Sequence, residues 1–283
     1  MIFALHMHTT SSDGVLSPRE LVSHAVRCGV SLMAITDHDT LEGAAALVGE
    51  ETEIPVLLGT ELSIRDMSHL HLLGYGLRAT DEMQQVLRAL ADKRLTRARR
   101  MLEKLAEMGM PMDYDDLCAR CGGTVGRMHI ARELVRLGYI RRTQQAFDKL
   151  IGDDGPAYVA GERLSMEEAL TLMRRNGFVP VLAHPAELRL KDNALLPLLE
   201  KWQAQGLMGV EVYHPSQKGR GFATLDAQVR RMGFLVTGGS DFHAPADGKH
   251  GEPGCTSAWW PRAAEDVQAL QSAMQDLNVA NKS

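Results

Sequence analysis

Apolar residues come in short runs along this chain, and each run stops at a polar tip. Ile2-Phe3-Ala4-Leu5 gives way to His6-Met7-His8, Ser31 to Thr36 closes in Asp37-His38-Asp39, and Ile54 to Leu58 is followed by Glu61. Leu70 to Tyr75 contains His71, Phe178 to Ala183 ends in His184-Pro185, Leu207 to Val212 ends in Tyr213-His214-Pro215, and Phe234 to Thr237 runs into Gly238-Gly239-Ser240-Asp241-Phe242-His243. Apolar runs of this length read as buried strands. Side chains alternate faces on a strand, so His6 and His8 point the same way. Helical patterns lie between the runs. Ser17-Pro18-Arg19-Glu20 predicts a helix start with Ser as N-cap, Pro in the first turn and Glu closing a capping box. Leu21, Val22, Ala25 and Val26 supply the apolar side of that helix up to Gly29. Ser165-Met166-Glu167-Glu168 predicts a second such start, with the helix closed at Gly177. Further helices are expected after Thr40, around Leu195 to Trp202, over Ala223 to Met232 and over Glu265 to Leu277. Strand, polar tip, helix, strand is the signature of parallel βα units, which can close into a barrel.

The texture changes near Ala79. Met83, Val86, Leu87 and Leu90 have helical spacing that runs on past Leu102 and Leu105 to a stop at Gly109 and Pro111. The middle carries Lys93, Arg94, Arg97, Arg99, Arg100 and Lys104, which read either as a solvated face or as a basic surface near an anionic substrate. Helical stretches follow at Met128 to Leu137 and Gln144 to Leu150, then a loop at Gly152-Asp153-Asp154-Gly155-Pro156. Residues 79–160 are therefore expected to form a helical insert domain within an α/β domain made of residues 1–78 and 161–283. Cys118-Ala119-Arg120-Cys121 has half the cysteines of a zinc ribbon; no second pair follows, and no metal or redox role is assigned to it.

Composition narrows the picture. The 283 residues are 45% hydrophobic and 24% charged, which suits a globular protein with a sizeable core. The net charge of -5 argues against a protein that simply coats nucleic acid. No apolar run reaches the length of a membrane span, and no signal peptide is expected. Four cysteines make no disulfide framework, so a reduced, cytoplasmic setting is expected.

The tips hold the chemistry. His6, His8, Asp13, Asp37, His38, Glu61, His71, His184, Asp241 and His243 nearly all follow a strand or sit at its end. Asp13 reads either as a turn residue before Gly14 or as a hard oxygen ligand. In a barrel of parallel strands these ends converge on one face. Several carboxylates brought together cannot all stay ionised unless cations join them. Mixed imidazole and carboxylate donors suit manganese, iron or zinc better than calcium or magnesium. Two or three ions are the natural count, with Glu61 a candidate bridge, and such clusters suit hydrolysis.

With these motifs the chain resembles the polymerase and histidinol phosphatase (PHP) family. The matching pieces are His6-Met7-His8-Thr9, Asp13-Gly14, Thr36-Asp37-His38-Asp39, Glu61, His71 in His-Leu-Leu-Gly-Tyr, Ala183-His184-Pro185 and Ser240-Asp241-Phe242-His243. The resemblance implies a distorted (β/α)7 TIM-like barrel, an α/β fold, with a site for three divalent ions, manganese first and iron or zinc as alternatives. It implies His6, His8, Glu61 and Asp241 on the first metal, Glu61, His71 and His184 on the second, and Asp13, His38 and His243 on the third. Asp37 is implied to act behind these ligands, orienting an imidazole.

Gly126-Arg127-Met128-His129-Ile130-Ala131-Arg132 and Asp153-Asp154-Gly155-Pro156-Ala157-Tyr158 resemble one branch of the family, with Met128 where Pro is expected. That branch includes phosphatases acting on the 3′-phosphate of nucleoside 3′,5′-bisphosphates, such as adenosine 3′,5′-bisphosphate, and 5′→3′ exonucleases on short RNA or DNA. The expectation is a hydrolase of that kind, with no membrane and no obligate protein partner. Arg127, His129 and Arg132 are candidate clamps for a 5′-phosphate. His214 is a candidate general acid, and Lys218 and Arg220 are weaker phosphate candidates. Few aromatic residues stand near these positions, which favours a mononucleotide or short oligonucleotide over a long stacked strand. The alternatives are a phosphatase of histidinol phosphate or another small phosphomonoester, and a non-catalytic PHP module that binds nucleic acid or a polymerase.

Overall fold

The computed structural model describes residues 1–121, 125–219, 221–246 and 250–281. In chain order the elements are β1 (Phe3–Ala4), α1 (Pro18–Arg27), β2 (Leu32–Ile35), α2 (Glu42–Ala45), β3 (Val56–Ser63), β4 (His71–Gly76), α3 (Asp81–Glu107), α4 (Tyr114–Cys121), α5 (Arg127–Arg136), α6 (Thr143–Ala146), α7 (Met166–Arg175), β5 (Val179–Leu182), α8 (Asp192–Gln205), β6 (Gly209–Tyr213), α9 (Phe222–Arg231), β7 (Leu235–Gly238) and α10 (Ala263–Ala280). Both predicted capping boxes are present, at Ser17 with Glu20 and at Ser165 with Glu168.

The seven strands form one sheet in sequence order. Its two edges meet: Leu5 N–H donates to Gly238 O at 3.4 Å, His8 N–H donates to Phe242 O at 2.9 Å, and Met7 pairs with Phe242. The result is a nearly closed barrel with helices around it. β1, β2, β5 and β6 are buried along their whole length, which is why their sequences read as continuous apolar runs rather than as alternation.

One strand corrects the expectation of a purely parallel sheet. β4 runs antiparallel to both β3 and β5. The cause is chain length: only residues 64–70 connect β3 to β4, too few for a parallel crossover, so the chain turns straight back. His71 therefore opens its strand instead of closing it, and pairs with Ser63 at the far end of β3. Glu61 lies inside β3, not beyond it. Reversal of β4 brings His71 to the end of the barrel where the parallel strands finish and where Glu61 lies on β3.

The 27-residue helix α3 joins two cores. Near its start, Met83 and Leu87 pack into the barrel core. Farther on, Ala98, Met101, Leu102 and Leu105 pack with Leu117, Ile130, Leu134 and Ile151 in a second apolar cluster. Cys118 and Cys121 pack against that second cluster. Among the described residues no helix is long and apolar enough to cross a membrane.

Candidate metal centre and its cleft

Glu61 is the hub of the barrel end. Its Oε2 lies 3.3 Å from Nε2 of both His6 and His8 and 3.0 Å from Nδ1 of His38. Its Oε1 lies 2.9 Å from His71 Nδ1 and 3.0 Å from His184 Nε2. Asp241 Oδ1 stands 3.3 Å from His6 Nε2 and 3.0 Å from His8 Nε2. Asp13 Oδ1 stands 3.1 Å from His243 Nε2 and 4.0 Å from His38 Nε2. All nine residues picked out as ligand candidates thus meet in one place.

Their chemistry fits divalent cations. His6 Nε2, His8 Nε2, Asp13 Oδ1, His38 Nδ1, Glu61 Oε2 and Asp241 Oδ1 are all buried without a hydrogen-bond partner. Each such group costs about 1–3 kcal/mol if nothing meets it, and more when charged. Ligand atoms of His6, His8, Glu61 and Asp241 lie within 4.8 Å of one another, as do those of His8, Asp13, His38 and His243, and those of His38, Glu61 and His71. The two oxygens of Glu61 face different imidazole groups, as a bridging carboxylate would.

Protonation tells the same story. Burial disfavours charge on His8, but the close carboxylates of Asp241 and Glu61 outweigh it and raise its pKa to about 10. His6 is likewise held well above its ordinary value, with Glu211, Glu61 and Asp241 overcoming burial. Burial opposes ionisation of Glu61, Asp241 and Asp13 too, yet the surrounding imidazoles hold all three well below the usual carboxylate range. His71 goes the other way: burial takes it down to about 4. Protons on some imidazoles are balancing carboxylate charge that cations would balance instead.

The backbone is strained where it presents these groups. His184 has φ of 26° and Asp241 φ of 54°, both in the region L-residues avoid. Gly239 is needed for close approach, because a Cβ there would lie 2.3 Å from His6 Cβ.

Asp37 and His214 lie behind these ligands. Asp37 is buried and its oxygens accept from Thr9 N–H at 2.7 Å, Thr9 Oγ1 at 2.6 Å and Ser12 Oγ at 2.6 Å. It pins the loop before Asp13 and reaches His8 through Ser12 Oγ, 3.4 Å from His8 Nδ1. His214 Nδ1 accepts from Ser216 N–H at 3.2 Å, and burial above all lowers its pKa to about 4. Its Nε2 is 4.0 Å from Asp241 Oδ2, and it is not one of the described residues lining the cleft. Its ring lies in the barrel wall beside the candidate ligands, with centroids 5.5 Å from His184 and 6.2 Å from His6.

Sequence reading missed Glu211 and His250. Glu211, wholly buried in β6, holds His6 Nδ1 at 3.1 Å and accepts from His184 N–H at 2.9 Å. A carboxylate inside an otherwise apolar strand was the available signal. His250 Nε2 lies 3.4 Å from Asp241 Oδ2 and its ring stacks on His243, centroids 4.6 Å apart. It stands in a loop beyond the last strand, away from the tips that drew attention.

A cleft of about 920 Å³ opens from this centre toward the helices of residues 94–153. Arg127, His129 and Arg132 line it, together with Arg94, Arg97 and Arg163. Arg127 Nη1 donates to Asp153 at 2.7 Å, and Arg132 Nη1 donates to the Asp13 carbonyl at 2.9 Å. His129 Nδ1 accepts from Gly126 N–H at 3.0 Å. Arg94 pairs with Asp39, tying α3 to the barrel. Arg97 Nη2 is buried with no hydrogen-bond partner, and burial, then the charges of Arg127 and Arg163, pull its pKa to about 10. Burial and Arg127 also lower Arg163. Cations crowded like this favour an anion between them. The basic run on α3 therefore divides: Arg94 and Arg97 face the cleft, whereas Lys93 pairs with Glu162 and Arg99 with Asp115. Lys218 is elsewhere, its ammonium 5.0 Å from the centre of the Trp259 ring. Arg220 lies outside the described residues.

The sequence pattern of the PHP domain matches residues 4–153, just over half of the chain. The chain belongs to the PHP domain family. This PHP chain is 32% identical over 247 residues to a 5′-3′ exoribonuclease of Haemophilus influenzae, covering 86% of this chain and 90% of the relative. It is 32% identical over 250 residues to a 3′,5′-nucleoside bisphosphate phosphatase of Chromobacterium violaceum, covering 86% and 88%. Its fold matches a Bifidobacterium adolescentis protein assigned as a metal-dependent phosphoesterase, with TM-score 0.82, 30% identity and 96% of each chain covered.

Proposed function

We propose that this PHP protein is a metal-dependent phosphoesterase that hydrolyses the 3′-phosphate of nucleoside 3′,5′-bisphosphates, taking adenosine 3′,5′-bisphosphate to AMP and phosphate. The same cleft accepts short RNA or DNA oligonucleotides for trimming from the 5′ end, and the enzyme acts in the cytoplasm. The observation that carries this reading is a cleft with two unlike ends: unpartnered imidazole and carboxylate atoms at one, crowded guanidinium groups at the other. The names of the two curated relatives support the same substrate class.

His6, His8, Glu61 and Asp241 would hold one ion, Glu61, His71 and His184 a second, and Asp13, His38 and His243 a third. Manganese is the first choice, with iron or zinc as alternatives. Bound divalent ions polarise phosphate oxygens and make water a nucleophile at neutral pH. The chain itself does the rest. Arg127, with Arg97 and Arg163 beside it, anchors the 5′-phosphate, His129 and Arg132 line the path between anchor and metal centre, and the insert formed by residues 79–160 sets the span. Bisphosphate and monophosphate substrates test the anchor. Phosphate release from adenosine 3′,5′-bisphosphate should exceed that from adenosine 3′-monophosphate by at least about 10–100-fold in kcat/KM. Equal values would remove the 5′-phosphate anchor from the account.

A further inference from the structure

On the outer face of the loop that carries Asp241 and His243 lies a second group of metal-binding side chains. His24 and Cys28 stand four residues apart, His24 on the last turn of α1 and Cys28 at its C-cap, which puts both side chains on one face. Glu252 comes to them from the segment after β7. His24 Nε2 lies 2.7 Å from Glu252 Oε2 and 3.9 Å from Cys28 Sγ, and one ligand atom from each of the three falls within 4.8 Å of the others. Tetrahedral zinc bonded at the usual lengths would set nitrogen–oxygen and nitrogen–sulfur separations of about 3.4 and 3.6 Å. The observed pair of distances brackets those values, so small side-chain rotations suffice.

We propose that His24, Cys28 and Glu252 form a site for a borderline-soft divalent cation of the zinc type, separate from the catalytic centre and with one coordination position open. One imidazole, one thiolate and one carboxylate is a donor set that selects such an ion over calcium or magnesium. Burial, then the charge of Glu252, push the Cys28 thiol up, so the ion displaces a proton there. Arg27 Nη2 stands 3.3 Å from His24 Nδ1, on an exposed side chain that is free to move when Nδ1 takes the ring proton.

The position gives the site a purpose. The Phe242 ring stacks on His24, centroids 5.1 Å apart, and Phe242 lies between Asp241 and His243. Glu252 Oε1 also accepts from Ala246 N–H at 3.2 Å. An ion held here clamps Phe242 and, through Glu252, Ala246 against α1 from outside while the catalytic centre holds Asp241 and His243 from inside.

Cobalt(II) distinguishes the two sites. The catalytic donors are all nitrogen and oxygen, so a near-ultraviolet thiolate-to-cobalt charge-transfer band does not come from them, and its loss in Cys28→Ala separates the new site from Cys118, Cys121 and Cys255. Chelator-stripped full-length protein titrated with cobalt should develop this band, Cys28→Ala should lack it, and Glu252→Gln should need about tenfold more cobalt or worse to reach it. The more conservative Glu252→Gln keeps the test valid if Cys28→Ala folds poorly by circular dichroism. No band in the wild type, or an equal band in Cys28→Ala, overturns the proposal.

Discussion

Glu211 shows what a single buried group does here. With no exposure, it binds the far nitrogen of His6 and the backbone of His184, and so turns the free Nε2 of His6 toward Glu61 and Asp241. Carboxylates placed behind a metal-binding imidazole fix its tautomer and raise its basicity. Glu211→Gln keeps the size and removes the charge. It should lower metal affinity or kcat/KM by about 10–100-fold, read from activity across a manganese titration. An unchanged titration curve would mean that His6 needs no such support. Asp37 makes the contrasting case: its sequence context is metal-like, yet Thr9 and Ser12 consume its lone pairs. Side-chain identity at a strand tip was legible from the sequence, but which donors had already claimed it was not.

Elements explain the rest of what could and could not be read. Apolar runs ending in His, Asp or Glu exposed the strands and their tips because buried strands need no alternation. They did not reveal that β4 runs backward, since periodicity carries no direction; the short 64–70 connection did carry it. The long pattern over α3 was plain, but its arginines divide between cleft and solvent according to how the helix meets residues 153–163, which are distant in sequence. Arg163 was invisible for that reason. Its crowding with Arg97 and Arg127 makes a kinetic prediction. Arg163→Ala should raise KM for adenosine 3′,5′-bisphosphate about tenfold or more while changing that for a substrate without a 5′-phosphate little. Equal losses on both substrates would place Arg163 in the structure of the cleft and not in recognition.

Across the whole molecule, the metal centre sets how stability responds to pH. His8 has its pKa raised from 6.5 to about 10, so the folded metal-free chain keeps a proton that the unfolded chain loses. The stability this contributes is complete below pH 6.5 and is lost as pH rises toward 10. His71 and His214, both pulled from 6.5 to about 4, do the reverse: what they contribute is present above 6.5 and lost as pH falls toward 4. Metal-free protein should therefore have its highest Tm near neutrality and lose stability on both sides. Added manganese should raise Tm most on the alkaline side, where it replaces the missing protons. Melting curves with and without chelator across that range check this; a metal-induced shift that is largest in acid would contradict it.

Glu61 joins the two groups of imidazoles, and the account depends on it most. Phosphate release from adenosine 3′,5′-bisphosphate should be compared between manganese-loaded wild type and Glu61→Gln of equal fold content. The bridging charge is predicted to matter by more than about 100-fold in kcat. Wild-type turnover in Glu61→Gln, or no metal-dependent turnover in either protein, would contradict it.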